Sequence, residues 1–340
     1  MKLQPPLKRN DDITIKIDTL NSEGQGVGRV QGYAVFVPGA LPGETVNAHV
    51  IKVNPGYGVA KLIEILSNSH ERIEVPCASY GACGGCTLQH YQYEAQLKQK
   101  HQFVIDALRR IGGFKGVVVN GTLGMETPWF YRNKGAFPFA QVNGKVEAGF
   151  FAPRSHRLIP LTDCAIQDES VILCVNAVRD WANEYSVRAY DEQTHKGILR
   201  HVVARAGTNG EVMTVIVTAG NLPHKTELVE TLRERVEGLV SVIHNINNKQ
   251  TSVILGDNYH LLWGKERLTE VICSLKFEIS AASFLQVNPS QTEKLYNTVL
   301  EYAGMKGNET VFDIYCGIGT ITLLLAQKAG SVIGIENVRE

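Results

Sequence analysis

The chain has 340 residues, enough for two or three domains that each bury a core. Lysine plus arginine and aspartate plus glutamate both total 34, which excludes a strongly cationic scaffold and leaves any nucleic-acid contact to a local basic face. Residues 1–12 are polar and no apolar stretch reaches spanning length, so a soluble, cytoplasmic monomer with no membrane partner is expected.

Asp12 to Ile65 reads as a small all-β unit. Ile13-Thr-Ile-Lys-Ile-Asp18 alternates, Tyr33 to Val37 is a buried-strand candidate, and Val46–Val53 and Tyr57–Ile65 complete the set. Gly24, Gly26 and Gly28 mark a mobile or tightly turned loop, and Pro38-Gly39 and Pro42-Gly43 mark turns. Short strands with this punctuation suggest a five-stranded barrel of the oligonucleotide-binding type, or another small barrel without a ligand.

A cysteine-bearing connector, Ser67 to Gln89, leads into a helix over residues 91–110. Leu97, Val104, Ile105 and Leu108 would form the apolar face of that helix, and Gly112-Gly113 would end it. From about Gly121 to Leu275 the pattern is mostly antiparallel β-structure. A hairpin turns at Val142-Asn143-Gly144, a strand pair joins 197–205 to 212–218, a helix covers 226–237, and strands follow at 240–246 and 251–255. Cys174, on a helical pattern with Val171, Ile172 and Val175, and Cys273, in a strand-like run, both read as core.

Cys77, Cys83 and Cys86 sit at C-x5-C-x2-C within a turn-rich run, and Cys164 follows well downstream. Seven cysteines in a reducing compartment favour metal binding or burial over disulfides. Ala82, Gly84 and Gly85 let the backbone curl around a centre, and Cys164 would supply the closing thiolate. Spacing does not decide between zinc and an iron–sulfur cluster. A radical enzyme of the C-x3-C-x2-C type fits poorly, because the first spacing here is five.

Near the end, Val311-Phe-Asp-Ile-Tyr315 is a short buried strand, Cys316-Gly317-Ile318-Gly319-Thr320 a turn, Ile321–Lys328 a helix start, and Ser331–Ile335 the next strand. Gly317 and Gly319 let the backbone approach a ligand, and Glu336, 19 residues after Gly317, stands where a carboxylate grips ribose hydroxyls. Thr322 occupies the position where a dinucleotide fingerprint wants a third glycine, which tilts the reading from a nicotinamide cofactor to S-adenosyl-L-methionine. Cys316 is expected to pack beneath the cofactor rather than act as a nucleophile.

With these residues in view, the chain resembles the 23S rRNA uracil-C5 methyltransferase family. The resemblance rests on Tyr131-Arg-Asn-Lys134, Gly197-Ile-Leu-Arg-His-Val202, Phe284-Leu-Gln-Val-Asn-Pro289 and Asp313-Ile-Tyr-Cys-Gly-Ile-Gly319, in that order, and covers nearly all 340 residues. The stretch beginning Ile243-His-Asn is closer to the 23S rRNA branch than to the tRNA branch. The implied fold is multidomain. An OB-like TRAM RNA-binding barrel (8–66) precedes a central α+β domain with the iron–sulfur cysteines (67–278), followed by the start of a Rossmann-like class I methyltransferase domain (279–340). The helix at 91–110 would pack on the last of these.

The resemblance implies that Cys77, Cys83, Cys86 and Cys164 ligate a 4Fe–4S cluster, and that Gln286, Tyr315 and Glu336 contact S-adenosyl-L-methionine beside Gly317 and Gly319. Arg132 and Lys134 are candidate RNA contacts, with 23S rRNA as partner. Family members continue further, and the nucleophilic cysteine and the glutamate base are expected beyond residue 340, so the chain reads as C-terminally truncated and inactive alone. The alternatives are a tRNA uracil-C5 methyltransferase and a non-catalytic iron–sulfur RNA-binding protein.

Overall fold

The computed structural model describes residues 5–337. Contacts divide the chain into two compact units, the first ending at Gly124 and the second beginning at Met125. Among the described residues no helix is long and apolar enough to cross a membrane.

In the first unit, β1 (Asp12–Leu20), β2 (Gly26–Val30), β3 (Tyr33–Val37), β4 (Thr45–Val53) and β5 (Tyr57–Ser67) close a barrel in the order β1-β2-β3-β5-β4. Alternation carries the fold: Val46, Ala48 and Val50 of β4 point inward to meet Ile15, Ile17, Val35 and Val37. A register shift between Ile17 and Thr19 flips the parity of β1, which is how Leu20 also becomes buried. Gly26 and Gly28 are not a loop; they lie inside β2. A Cβ on Gly28 would stand 2.3 Å from the Lys16 carbonyl oxygen, so the glycine permits strand-to-strand approach rather than a turn.

Helix α1 (Tyr93–Asp106) widens into a π-turn over Ala107–Ile111 before Gly112. The expected apolar face is partly buried: Val104 is 49% exposed while Leu97, Ile105 and Leu108 are half-buried, and Ala95 and Phe103 pack with Leu20, Leu41 and Tyr91.

The second unit is built on a seven-stranded sheet. Its strands are β6 (Lys134–Val142), β7 (Lys145–Phe151), β8 (Leu158–Pro160), β9 (Leu199–Ala206), β10 (Val212–Thr218), β11 (Leu239–Ile246) and β12 (Asn258–Gly264), in the order β12-β11-β10-β9-β6-β7-β8. The β6–β7 turn uses Asn143 (φ 52°) and Gly144 (φ 82°), the conformation that a two-residue hairpin loop requires. Helices α2 (Glu169–Glu184) and α3 (Lys225–Arg235) cover one face, burying Trp181, Val178, Leu228 and Leu232 against Phe137 and Ile216. Cys174 is buried in that core, as expected. The crossover through α3 makes β10 and β11 parallel, a departure from the otherwise antiparallel ladder.

Residues 251–255 form no strand. The Asn247 side chain takes the Val253 and Ile254 carbonyls at 2.7 and 3.0 Å, and Arg200 takes the Thr251 carbonyl, so side chains replace the sheet ladder there. The strand that pairs with β11 is β12 instead.

On the opposite face, Val203, Met213, Val215 and Ile243 pack with Leu268 and Ala281. The hairpin β13 (Leu268–Ile272) and β14 (Leu275–Ile279) turns at Cys273 and Ser274, both at positive φ. Cys273 is therefore a half-buried turn residue, not a strand interior. Helix α4 (Pro289–Ala303) starts at an Asn288 cap whose side chain accepts from the Gln291 N–H. Strands β15 (Thr310–Ile314) and β16 (Ser331–Ile335) pair in parallel around helix α5 (Thr320–Ala326). The order of elements is as expected, but β15 is not buried: Phe312 and Ile314 are each 60% exposed, because a two-stranded sheet leaves one face uncovered among the described residues.

Candidate functional site

The loop between β15 and α5 is held from three directions. The Tyr315 and Cys316 N–H groups both donate to the Ile335 carbonyl, tying the loop to the end of β16. The Thr322 hydroxyl donates to the Asp313 carboxylate, a role for Thr322 that its failure to be glycine did not suggest. The Glu336 carboxylate accepts the Gly317 N–H at 2.9 Å through one oxygen and the Asn337 N–H at 2.9 Å through the other. Each carboxylate oxygen has a second lone pair, so Glu336 can still take hydroxyl donors while bracing the loop. The Cys316 sulfur lies 3.1 Å from where a Cβ of Gly334 would be, so the thiol fills space over β16.

A cleft of about 670 Å3 opens against this loop. Gly317, Ile318 and Glu336 contribute one wall, and Ile243, Tyr259, Leu261 and Phe284 contribute apolar surface. A smaller hollow of about 420 Å3 involves Cys316, Gly319, Thr322 and again Glu336. Of the expected cofactor contacts, Gly317, Gly319 and Glu336 are thus brought together. Gln286 is exposed and Tyr315 is 82% exposed at φ 68°, and neither lines these spaces. Tyr259 and Leu261 were missed; their spacing of two marks a strand, but their place on the cleft depends on pairing with β11.

The segment carrying Phe284 and Gln286 is anchored at both ends. Arg205 of β9 donates to the Ser283 carbonyl at 3.0 Å, and the Asn133 N–H donates to the Val287 carbonyl at 2.9 Å. Lys134 lies opposite Arg205 in the β6–β9 ladder and is half-buried. Burial, and then the Arg205 charge, push the Lys134 ammonium down to about 8. Arg132 bridges through its backbone to Ile166 and Asp168. Neither the Arg132 nor the Lys134 side chain pairs with a carboxylate among the described residues.

In the first unit, Cys77, Cys83 and Cys86 are half-buried on one curled loop. The Cys83 N–H donates to Ser79, the Tyr80 N–H donates to Cys77, and the Gly85 N–H points at the Cys83 sulfur at 3.3 Å. Beneath the loop, the Tyr80 hydroxyl bonds the Thr87 carbonyl and the His90 ring, and burial, then the Arg72 charge, hold His90 down to about 4. Cys164 is buried in the second unit. Three thiols on one loop are a donor set that suits a thiophilic centre. Among the described residues, no three His, Cys, Asp or Glu side chains form a metal-holding group.

Comparison with known proteins then identifies the chain's relatives. Residues 6–63, spanning the barrel, match the TRAM domain. Uncharacterized RNA methyltransferases of Halalkalibacterium halodurans and Clostridium tetani are each 47% identical to the chain over its whole length, which spans 74% of theirs. The chain belongs to the RNA methyltransferase family. The solved Pyrococcus abyssi tRNA (uracil-54, C5)-methyltransferase, in complex with S-adenosyl-L-homocysteine, superposes with a TM-score of 0.73. That likeness comes at 25% identity, over 95% of this chain and 72% of that one. An RNA methyltransferase must bring a methyl donor and a base together, and the cleft falls in the size range of small-molecule sites.

Proposed function

We propose that this methyltransferase transfers a methyl group from S-adenosyl-L-methionine to C5 of a uridine in 23S rRNA. The observation that carries the reading is Glu336, fixed over Gly317 at the mouth of a cleft whose other surface is apolar and aromatic. The carboxylate would take the ribose hydroxyls of the donor, and the glycines would admit its backbone-close approach. Gln286 and Tyr315, both exposed near the loop segments, would close on the remainder of the donor when it binds.

Uracil C5 is a poor nucleophile. A thiolate adding to C6 generates an enolate, C5 then takes the methyl from the sulfonium, a base removes the C5 proton, and the thiolate is expelled to restore the ring. Cys316 is read as a packing residue rather than the thiolate, a reading supported by its sulfur lying beside Gly334 of β16. The base must leave its stack to enter the cleft, at a cost of about a few kcal/mol that single-stranded RNA lowers. The barrel supplies an RNA grip in this reading. The likeness to the P. abyssi enzyme favours a second reading, with tRNA as the substrate. Incubating the protein with labelled donor and either unmodified 23S rRNA or unmodified tRNA, and mapping any 5-methyluridine, separates the two. Binding of RNA with no donor bound and no label transferred would leave a non-catalytic RNA-binding protein.

Arg132 and Lys134 are proposed to contact phosphate. Arg132→Ala should weaken RNA binding across sequences and lower the slope of log affinity against log salt by about 1. Because Lys134 loses its charge near 8, wild-type RNA affinity should fall as pH rises through that value, and Lys134→Met should flatten the profile. An unchanged salt slope in the first variant and an identical pH profile in the second would remove both residues from the interface.

Cys77, Cys83, Cys86 and Cys164 are proposed to hold a 4Fe–4S cluster with a structural role, since methyl transfer moves no electrons. Anaerobically purified protein should contain about four iron atoms per chain, the stoichiometry of such a cluster, and absorb as a brown iron–sulfur centre. Cys83→Ser should lower both iron content and RNA affinity. Zinc in place of iron, or full stability of the variant without metal, would overturn the assignment.

A further inference from the structure

We infer that the second unit carries a site for an unstacked, amino-bearing nucleobase, distinct from the donor cleft. The site is a hollow of about 650 Å3 where the strand entering at Tyr131 meets the starts of α2 and α4. Trp129, Phe130 and Tyr131 bring three consecutive aromatic rings to it, and Asn133, Asp168 and Glu293 bring polar groups. Phe130 is 60% exposed and held at φ 53°, a left-handed backbone that a bulky residue rarely adopts, so its ring is displayed at a conformational cost.

The polar groups define the ligand's chemistry. Asn133 is buried, at 6% exposure, and its amide nitrogen donates to the Glu270 carboxylate at 3.1 Å. Glu270 is fully buried and also accepts from the Thr208 N–H and hydroxyl through its other oxygen. The Asn133 amide oxygen is buried and has no hydrogen-bond partner among the described residues. Asp168 and Glu293 each accept one backbone N–H and add negative charge to the same wall. Among the described residues, no lysine or arginine lines the hollow. An acceptor-rich, anionic wall repels phosphate and suits a neutral ring that donates through an exocyclic amine, with the aromatic side chains offering faces to stack on. A base neighbouring the methylated uridine in a single-stranded segment has this chemistry.

The inference rests on the RNA substrate but not on the donor cleft, and the test separates them. Binding of the full chain to fluorescently labelled nine-nucleotide strands is measured by anisotropy. One strand is oligoadenosine; in the other, purine riboside, which lacks the amine, replaces adenosine. The wild type should prefer the adenosine strand. Trp129→Ala should weaken that strand about tenfold, in keeping with the loss of one base–aromatic stack, and Trp129→Phe should restore most of it. Affinity for S-adenosyl-L-homocysteine should be unchanged in both variants, which reports intact folding. Equal binding of the two strands by the wild type, or an unaltered affinity in Trp129→Ala, would overturn the site while leaving the RNA reading in place. Failure of the wild type to bind either strand would overturn both.

Discussion

Replacing Glu336 with alanine should weaken S-adenosyl-L-methionine binding by roughly 10- to 150-fold, the loss expected when a charged hydrogen-bonding group worth about 1.5–3 kcal/mol is removed. Two contributions are lost together. One is the acceptor for ribose hydroxyls. The other is the 2.9 Å bond that holds the Gly317 N–H, without which the loop is no longer fixed before the donor arrives. Glu336→Gln separates them: its carbonyl oxygen can still accept from Gly317, while its charge is gone, so an intermediate loss of about tenfold is expected. Isothermal titration with the donor, and with S-adenosyl-L-homocysteine, checks both variants. Wild-type affinity in Glu336→Ala would show that the carboxylate does not touch the donor, and the reading of the whole cleft would fall with it.

What could be read from the sequence follows the distance over which each feature is encoded. The barrel was legible because its information is local: Val46, Ala48 and Val50 alternate within one strand, and the closing neighbours follow from five short strands. The cofactor loop was legible for the same reason. Asp313, Gly317, Gly319 and Glu336 lie within one strand–helix–strand unit, and their chemistry needs nothing from elsewhere. The far wall of the cleft was not, because Tyr259 and Leu261 reach it from an edge strand whose pairing with β11 no local pattern announces.

Residues 251–255 failed the opposite way. They have strand-forming composition, but Asn247 and Arg200 capture their carbonyls, and a side chain from 51 positions away cannot be seen in a window of ten. The Asn133–Glu270 bond spans 137 positions and fixes an amide that the sequence presented only as part of a strand. Lys134 was named as a candidate RNA contact, but the sequence did not show that burial, and then the Arg205 it faces across the ladder, lower its hold on its proton. Function was legible as far as it is carried by contiguous motifs, and illegible where it depends on which strands become neighbours.

Arg72→Ala should destabilise the first unit by about 3–5 kcal/mol, since it strips the partner from a buried charge. Glu44 has no solvent-exposed surface, and its two oxygens accept from Arg72 Nε at 2.5 Å and Nη2 at 2.9 Å and from the Leu41 N–H at 2.8 Å. Arg72 also reaches the Gly39 carbonyl at 2.7 Å, so the pair fastens the turn after β3 to the connector that follows β5. Burial alone would raise the Glu44 carboxyl; the Arg72 hydrogen bonds, the Leu41 N–H and the Arg72 charge outweigh it and leave the group below its usual value. A depressed carboxyl contributes stability that is fully present above its unfolded value, near 4.5, and is lost as pH falls through the lower folded value. Wild-type melting temperature should therefore drop steeply in acid. Arg72→Ala should melt far lower at neutral pH and recover part of the deficit as acid protonates Glu44. Combining Arg72→Met with Glu44→Gln should restore much of the loss, because no unpaired charge remains and the glutamine still accepts from Leu41. If Arg72→Ala melted within a degree or two of wild type across this range, Glu44 would have to be reached by water, and the barrel's junction with the connector would be looser than the buried pair requires.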